Sequence, residues 1–247
     1  MDIKNKHVIV TGGVSGFGRG LVDKLIEKEA QVGIFDINAA GFIDFKDQDN
    51  VTCYECDITD PDAIAAAVDA FCDEHKTINV LVNNAGILYS APLINIFGGL
   101  KRHSFDDWDK VIATNLSSVF YMTATVVGKM VVTRTKGLVI NVSSISAAGN
   151  PGQTAYSAAK AAINALTSTW AKELSPLNIR VAGIAPGFSD TPSTHEAMSE
   201  TALKEVIKRI PAKRLGTPEE IVQGMLFIIE NDFFNGKILE LDGGLVI

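Results

Sequence analysis

Along the 247-residue chain, short runs of consecutive apolar positions alternate with longer stretches in which apolar residues recur every three or four positions. The short runs at 7–11, 32–36, 51–56, 80–82, 138–142, 179–184 and 237–241 are rich in β-branched and other apolar residues, which predicts buried strands. The periodic stretches at 18–29, 61–74, 105–131, 154–174 and 218–230 predict helices between them. Asp60-Pro61 and Thr217-Pro218 each pair an N-cap side chain with proline at the first helical position, marking two helix starts. Seven strands with interleaved helices imply an α/β fold, a doubly wound sheet of about seven parallel strands with helices on both faces. No repeat, linker or low-complexity segment divides the chain, so 1–247 reads as a single domain. Two irregular stretches break the alternation. Residues 89–103 exceed an ordinary βα loop, and the mostly polar 188–213 predicts a mobile helical flap. Ligands in open α/β sheets bind at the carboxyl ends of strands, so the segments 88–104 and 188–213 are expected to be substrate loops.

Composition narrows the setting. Lys and Arg number 22 against 29 Asp and Glu, a net charge of −7, which disfavours nucleic acid and acidic membranes as partners because phosphate contact needs a positive footprint. No signal-peptide core precedes the first strand, and no continuous 18-residue apolar run occurs. Three cysteines suit a reducing compartment more than a disulfide scaffold. Cys53 and Cys56 form a C-x-x-C without a second pair or a histidine set to complete a metal site, so both read as structural strand residues and no metal is expected. The expectation is a soluble cytoplasmic protein.

The first strand runs into Thr11-Gly12-Gly13-Val14-Ser15-Gly16-Phe17-Gly18, followed by a helix. Glycines there admit close approach of a pyrophosphate, and a helix N-terminus supplies free N–H groups and partial positive charge. Gly12, Ser15, Gly16, Phe17 and Gly18 are therefore candidate cofactor residues. Asp36 closes the second strand, 18 residues after Gly18, where a carboxylate accepts hydrogen bonds from the ribose hydroxyls of NAD and repels the 2′-phosphate of NADP. Ser15 and Ile37 flank that region, where an NADP enzyme more often places Arg or Lys. This Rossmann-type arrangement favours NAD.

Further along stand Asn83-Asn84-Ala85-Gly86, Asn115, Ser143, Tyr156-Ser157-Ala158-Ala159-Lys160 and Pro186-Gly187. With the glycine-rich turn, this ordered set resembles the short-chain dehydrogenase/reductase family over essentially the whole chain. Tyr156 and Lys160 are four residues apart on a helix, so their side chains share a face. A free phenol, with a pKa near ~10, is a poor base at neutral pH. A neighbouring ammonium and a positive nicotinamide ring are expected to lower that pKa by about 2–3 units. Tyr156 is then the acid/base, and Ser143, 13 residues earlier at a strand end, is expected to hold the substrate oxygen. The resemblance implies that Asn115 positions a water extending a proton relay from Lys160. It also implies cofactor contacts from Asp57 and Ile58 at the adenine, from Asn84, Ala85 and Gly86 along the ribose, and from Pro186, Gly187, Phe188 and Thr191 around the nicotinamide. Phe17 stands where the family usually has an aliphatic residue, and Ala182 and Gly183 where many members have Asn.

Within the family, the segment 95–109, Arg214-Leu215-Gly216 and the run 229–236 look most like the short-chain 3-hydroxyacyl-CoA and hydroxysteroid dehydrogenases. A substrate of that kind is favoured. General carbonyl reduction or secondary-alcohol oxidation stays open, as does β-ketoacyl reduction, although Asp36 argues against the NADPH usual for the last. A non-catalytic NAD-binding scaffold is a remote alternative, since such proteins commonly lose the Tyr or the Lys. Asn150 is a candidate for the substrate pocket. Lys101, Arg102 and His103 read equally as a CoA-phosphate contact or a solvated bend. The small residues of the 154–174 helix and the many apolar faces of 105–131 suit the homotetramer that the resemblance implies.

Overall fold

The computed structural model describes residues 1–96 and 99–245. Phe97 and Gly98, inside the expected 89–103 loop, lie outside the described residues, as do the last two positions. The first half of the sheet is β1 (His7–Thr11), β2 (Gln31–Asp36), β3 (Val51–Glu55) and β4 (Val80–Asn83). Helix α1 (Gly16–Glu27) links β1 to β2, and α2 (Pro61–His75) links β3 to β4. A two-stranded antiparallel hairpin, β5 (Ile94–Asn95) with β6 (Lys101–Arg102), fills part of the expected loop. Next come α3 (Phe105–Ile112), a π-helical turn (Ala113–Ser117) and α4 (Ser118–Val132), which run on without a break as the helix expected over 105–131, with the π turn inside it. The second half of the sheet is β7 (Gly137–Val142), β8 (Ile179–Pro186) and β9 (Ile238–Leu241), with α5 (Thr154–Leu174) between β7 and β8. The polar 188–213 segment holds two helices, α6 (Pro192–Ala197) and α7 (Glu200–Arg209), and α8 (Pro218–Glu230) precedes β9.

The seven long strands form one parallel sheet in the order β3-β2-β1-β4-β7-β8-β9. Strand order reverses between β1 and β4, and at such a switch point the loops diverge to leave a crevice at the carboxyl ends of the strands. Two apolar layers sandwich the sheet. Leu21, Val22 and Leu25 of α1 pack with Ile221 and Met225 of α8 on one face. Phe71 of α2, Met122 and Val126 of α4 and Ile163 of α5 pack on the other. The helix starts follow local chemistry. The Asp60 carboxylate accepts from the Asp62 and Ala63 amides, and Thr217 forms a reciprocal capping box with Glu220.

The α3–α4 run contains an 18-residue window of mean hydropathy 1.4, long and apolar enough to cross a membrane by composition. Its Val119, Met122, Val126 and Met130 are instead buried in the core.

Candidate active site

Two adjoining cavities open at the carboxyl end of the sheet. The larger, about 580 Å³, lies over the β1–α1 turn and the ends of β2 and β3. Gly12 there takes φ +66°, a left-handed conformation natural to glycine. Gly18 packs its Cα against the turn so tightly that a Cβ would stand 2.1 Å from the Gly12 carbonyl oxygen. Ser15 occupies the N-cap of α1 without capping it through its side chain, leaving the first N–H groups of the helix free for an anion. These features fit the pyrophosphate of a dinucleotide.

Asp36 is 9% exposed at the rim of the same cavity. Its Oδ1 accepts from the Asn38 amide at 2.9 Å and its Oδ2 from the Val14 amide at 3.2 Å, which fixes the carboxylate while leaving lone pairs for a ribose diol. Ile37, Asp57, Ile58, Ala85 and Gly86 line the same cavity. Asp57 is tied back by the Thr59 amide and hydroxyl at 2.8 and 2.7 Å. Thr11, a residue the sequence reading missed, holds the floor. Its Oγ1 accepts from the amides of Asn84 and Ala85 at 3.0 and 3.1 Å. The Asn84 side chain in turn donates to the Thr11 and Gly12 carbonyls, both at 3.0 Å.

The second cavity, about 240 Å³, shares Phe17, Asn84 and Gly86 with the first and contains Tyr156, Lys160, Asn115 and Ser144. Pro186, Gly187, Phe188 and Thr191 form its opposite wall. Tyr156 and Lys160 rise from the first turns of α5 on one face. The Lys160 Nζ lies 5.6 Å from the Tyr156 ring centroid and donates to the Val142 carbonyl at 2.7 Å. Burial pushes the Lys160 ammonium down to about 8. Burial also raises the Tyr156 phenol above its ordinary value, against a smaller lowering by its hydrogen bond with Ser144. The lowering expected from the neighbouring ammonium is not among the causes at work on the phenol in the protein alone, where desolvation leads.

The serine assignment changes. Ser143, expected to hold the substrate oxygen, is 2% exposed and does not line the cavity. Its hydroxyl donates to Asn164 Oδ1 at 2.6 Å and approaches the Lys160 carbonyl at 3.3 Å, pinning the end of β7 to α5. The next residue, Ser144, points into the cleft beside the phenol. Successive side chains leaving a strand point to opposite sides, so one residue decides which serine faces the cleft.

Asn115 sits within the π-helical turn, fully buried. Its Oδ1 accepts from the Ile87 amide at 2.9 Å and its Nδ2 donates to the Ile87 carbonyl at 2.8 Å. The side chain thus holds the segment after β4, and among the described residues it makes no direct hydrogen bond to Lys160. A Cβ on Gly86 would meet the Asn115 Oδ1 at 2.5 Å, so glycine is what lets these two segments touch. Asn150 is absent from the catalytic cavity and lines a neighbouring one. Among the described residues no cluster of His, Cys, Asp and Glu could hold a metal ion.

Comparison with known proteins agrees with this geometry. The sequence profile described as short chain dehydrogenase matches residues 6–202. A 3-oxoacyl-[acyl-carrier-protein] reductase from Thermotoga maritima is 39% identical over 255 aligned residues, covering all of both chains. The protein of the same description from Chlamydia muridarum is 39% identical over 98% of this chain and 97% of its own. Sorbitol-6-phosphate 2-dehydrogenase from Klebsiella pneumoniae is 32% identical over 99% and 97% respectively.

Proposed function

The chain belongs to the short-chain dehydrogenase/reductase family of oxidoreductases, and from that premise we propose that it interconverts 3-oxoacyl and 3-hydroxyacyl thioesters, with NAD as the dinucleotide. The thioester reading is carried by the full-length likeness to 3-oxoacyl-[acyl-carrier-protein] reductases. It favours β-ketoacyl reduction, the alternative left open by the sequence, over the hydroxysteroid side of the first expectation. Asp36 supports NAD: a buried-edge carboxylate fixed by two backbone amides repels a 2′-phosphate and accepts a ribose diol.

The residues divide the work by position. The ketone oxygen sits between the Ser144 hydroxyl and the Tyr156 phenol, two donors aimed where negative charge develops. Tyr156 gives its proton to that oxygen in reduction and takes it back in oxidation. Lys160 lies on the same helix face and recharges the phenol from beneath the cleft. A nicotinamide dinucleotide, when bound, supplies or accepts the hydride at the carbonyl carbon. The segments 88–104 and 188–213 close over the substrate, and the protein works as a cytoplasmic homotetramer.

Initial rates with NADH and NADPH across acetoacetyl-CoA, acetoacetyl carrier protein, aryl ketones and ketosteroids test the reading. NADH-dependent turnover of the thioesters above all other ketones is expected. Turnover of ketosteroids with none of the thioesters would overturn it. Asp36→Ala should shift the NADH/NADPH ratio of kcat/KM by about tenfold or more, equivalent to ~1.4 kcal/mol. An unchanged ratio removes the ribose role.

A further inference from the structure

The catalytic cleft does not end at the phenol. A further cavity of about 250 Å³ lies between the 150–153 turn, α7 and the C-terminal segment, and shares Gln153 and Phe188 with the 240 Å³ catalytic cavity. Each is smaller than the roughly 300–1,000 Å³ of a complete small-molecule site. Their shared wall makes them two compartments of one cleft.

The further compartment has two kinds of wall. Met198, Val206 and Leu245 are apolar, whereas Asn150 and Gln153 present amides. Asn150 Nδ2 donates to Gln153 Oε1 at 3.0 Å, and among the described residues the Asn150 amide oxygen accepts no bond. Arg209, the last residue of α7, also lines this compartment. Of the neighbouring cations, Lys208 is engaged by Glu205 and Arg214 by Glu220, each at 2.6 Å. Arg209 makes no ion pair or hydrogen bond among the described residues, so its guanidinium is free for an anion.

A plain hydrocarbon tail would cover the amide wall without satisfying it, at a cost in desolvation. A chain alternating amides with methylene and methyl groups and ending in a phosphate would satisfy all three features. We propose that this compartment is the channel for the 4′-phosphopantetheine arm of the thioester substrate, with Arg209 binding its phosphate. The proposal rests on the thioester reading above and names the part of the substrate that CoA and carrier protein have in common. A planar guanidinium binds phosphate through paired hydrogen bonds, which a neutral amide at the same place does not replace.

The test uses acetoacetyl thioesters of 4′-phosphopantetheine, dephosphorylated pantetheine, CoA and holo carrier protein. Arg209→Gln should raise KM about tenfold for the three phosphate-bearing thioesters, with kcat and the pantetheine KM unchanged. No change, an equal rise for dephosphorylated pantetheine, or a rise confined to CoA would each overturn the assignment. Val206→Trp narrows the channel and should raise KM for all four thioesters while sparing ethyl acetoacetate; unaffected thioesters would place the arm elsewhere. Calorimetric titration of CoA into the NADH-bound protein separates the two readings. Binding weakened tenfold by Arg209→Gln sustains the channel even where no thioester is turned over, and absence of binding to the wild-type protein removes it.

Discussion

Ser143 and Ser144 leave the same strand end, and their hydroxyls do different work. The Ser143 hydroxyl is buried against Asn164 and the Lys160 carbonyl, so its loss leaves buried polar groups unsatisfied. Ser144 faces the cleft, and in the proposed reaction its loss removes a donor to the substrate oxygen. Ser144→Ala should therefore lower kcat by about 10²-fold with little change in melting temperature. Ser143→Ala should keep kcat within a few-fold of wild type and cost about 1–3 kcal/mol of stability. Parallel kinetics and thermal melts of the two variants check this, and the reverse pattern would restore Ser143 to the chemistry. The motif residues Tyr156 and Lys160 were legible because a helix makes their four-residue spacing a geometry. The serine was not, because the 3₁₀ turn Ile145–Ala148 lies between it and Tyr156. Residue count across such a turn does not determine which way a side chain points.

At the scale of elements, the site stands on a polar chain buried beneath it. Asn83 at the end of β4 donates to Thr123 of α4 at 3.0 Å and to Asn141 of β7 at 2.9 Å. Asn141 donates to Thr167 of α5 at 2.9 Å, and the Thr167 hydroxyl donates to the Ile163 carbonyl at 2.8 Å. This chain ties α4 and α5 to two of the strands that end in the cleft. Asn141→Val removes its middle link and leaves one of the two Asn83 amide N–H groups in the core without its acceptor. A loss of about 2–4 kcal/mol is expected in denaturant unfolding, with an unchanged m-value, from the unsatisfied group and the broken network. A double-mutant cycle with Thr167→Val should recover part of that loss, and strict additivity would deny the coupling. The sequence showed these elements well, since strand and helix periods differ and the caps mark helix starts. It did not show the π-helical turn at Ala113–Ser117, because one extra residue per turn hardly disturbs an apolar pattern that already covers several faces. Nor did it show the β5–β6 hairpin, whose strands of two residues each carry no readable period.

At the scale of the molecule, the apolar content of α3 and α4 exceeds what the sheet buries. Phe105, Phe120, Val131 and Val132 are 66, 51, 41 and 82% exposed, although the inner face of the same helices is core. Isolated exposed apolar residues are ordinary, but a series along one helix is the kind of surface that the proposed assembly would cover. A second copy of the chain is the partner expected, because most soluble oligomers are closed symmetric assemblies of one chain. For the homotetramer proposed above, light scattering at micromolar concentration should give four times the 26.4 kDa chain mass. Phe120→Asp places a charge at the middle of that face, where an unpaired buried carboxylate is strongly unfavourable, and should shift the population to smaller species. The fold itself should survive, since Phe120 points away from the core that Met122 and Val126 fill. A monomeric wild type, or a Phe120→Asp variant that remains wholly tetrameric, would show that these side chains face solvent and that the helix pair is simply more apolar than its sheet requires.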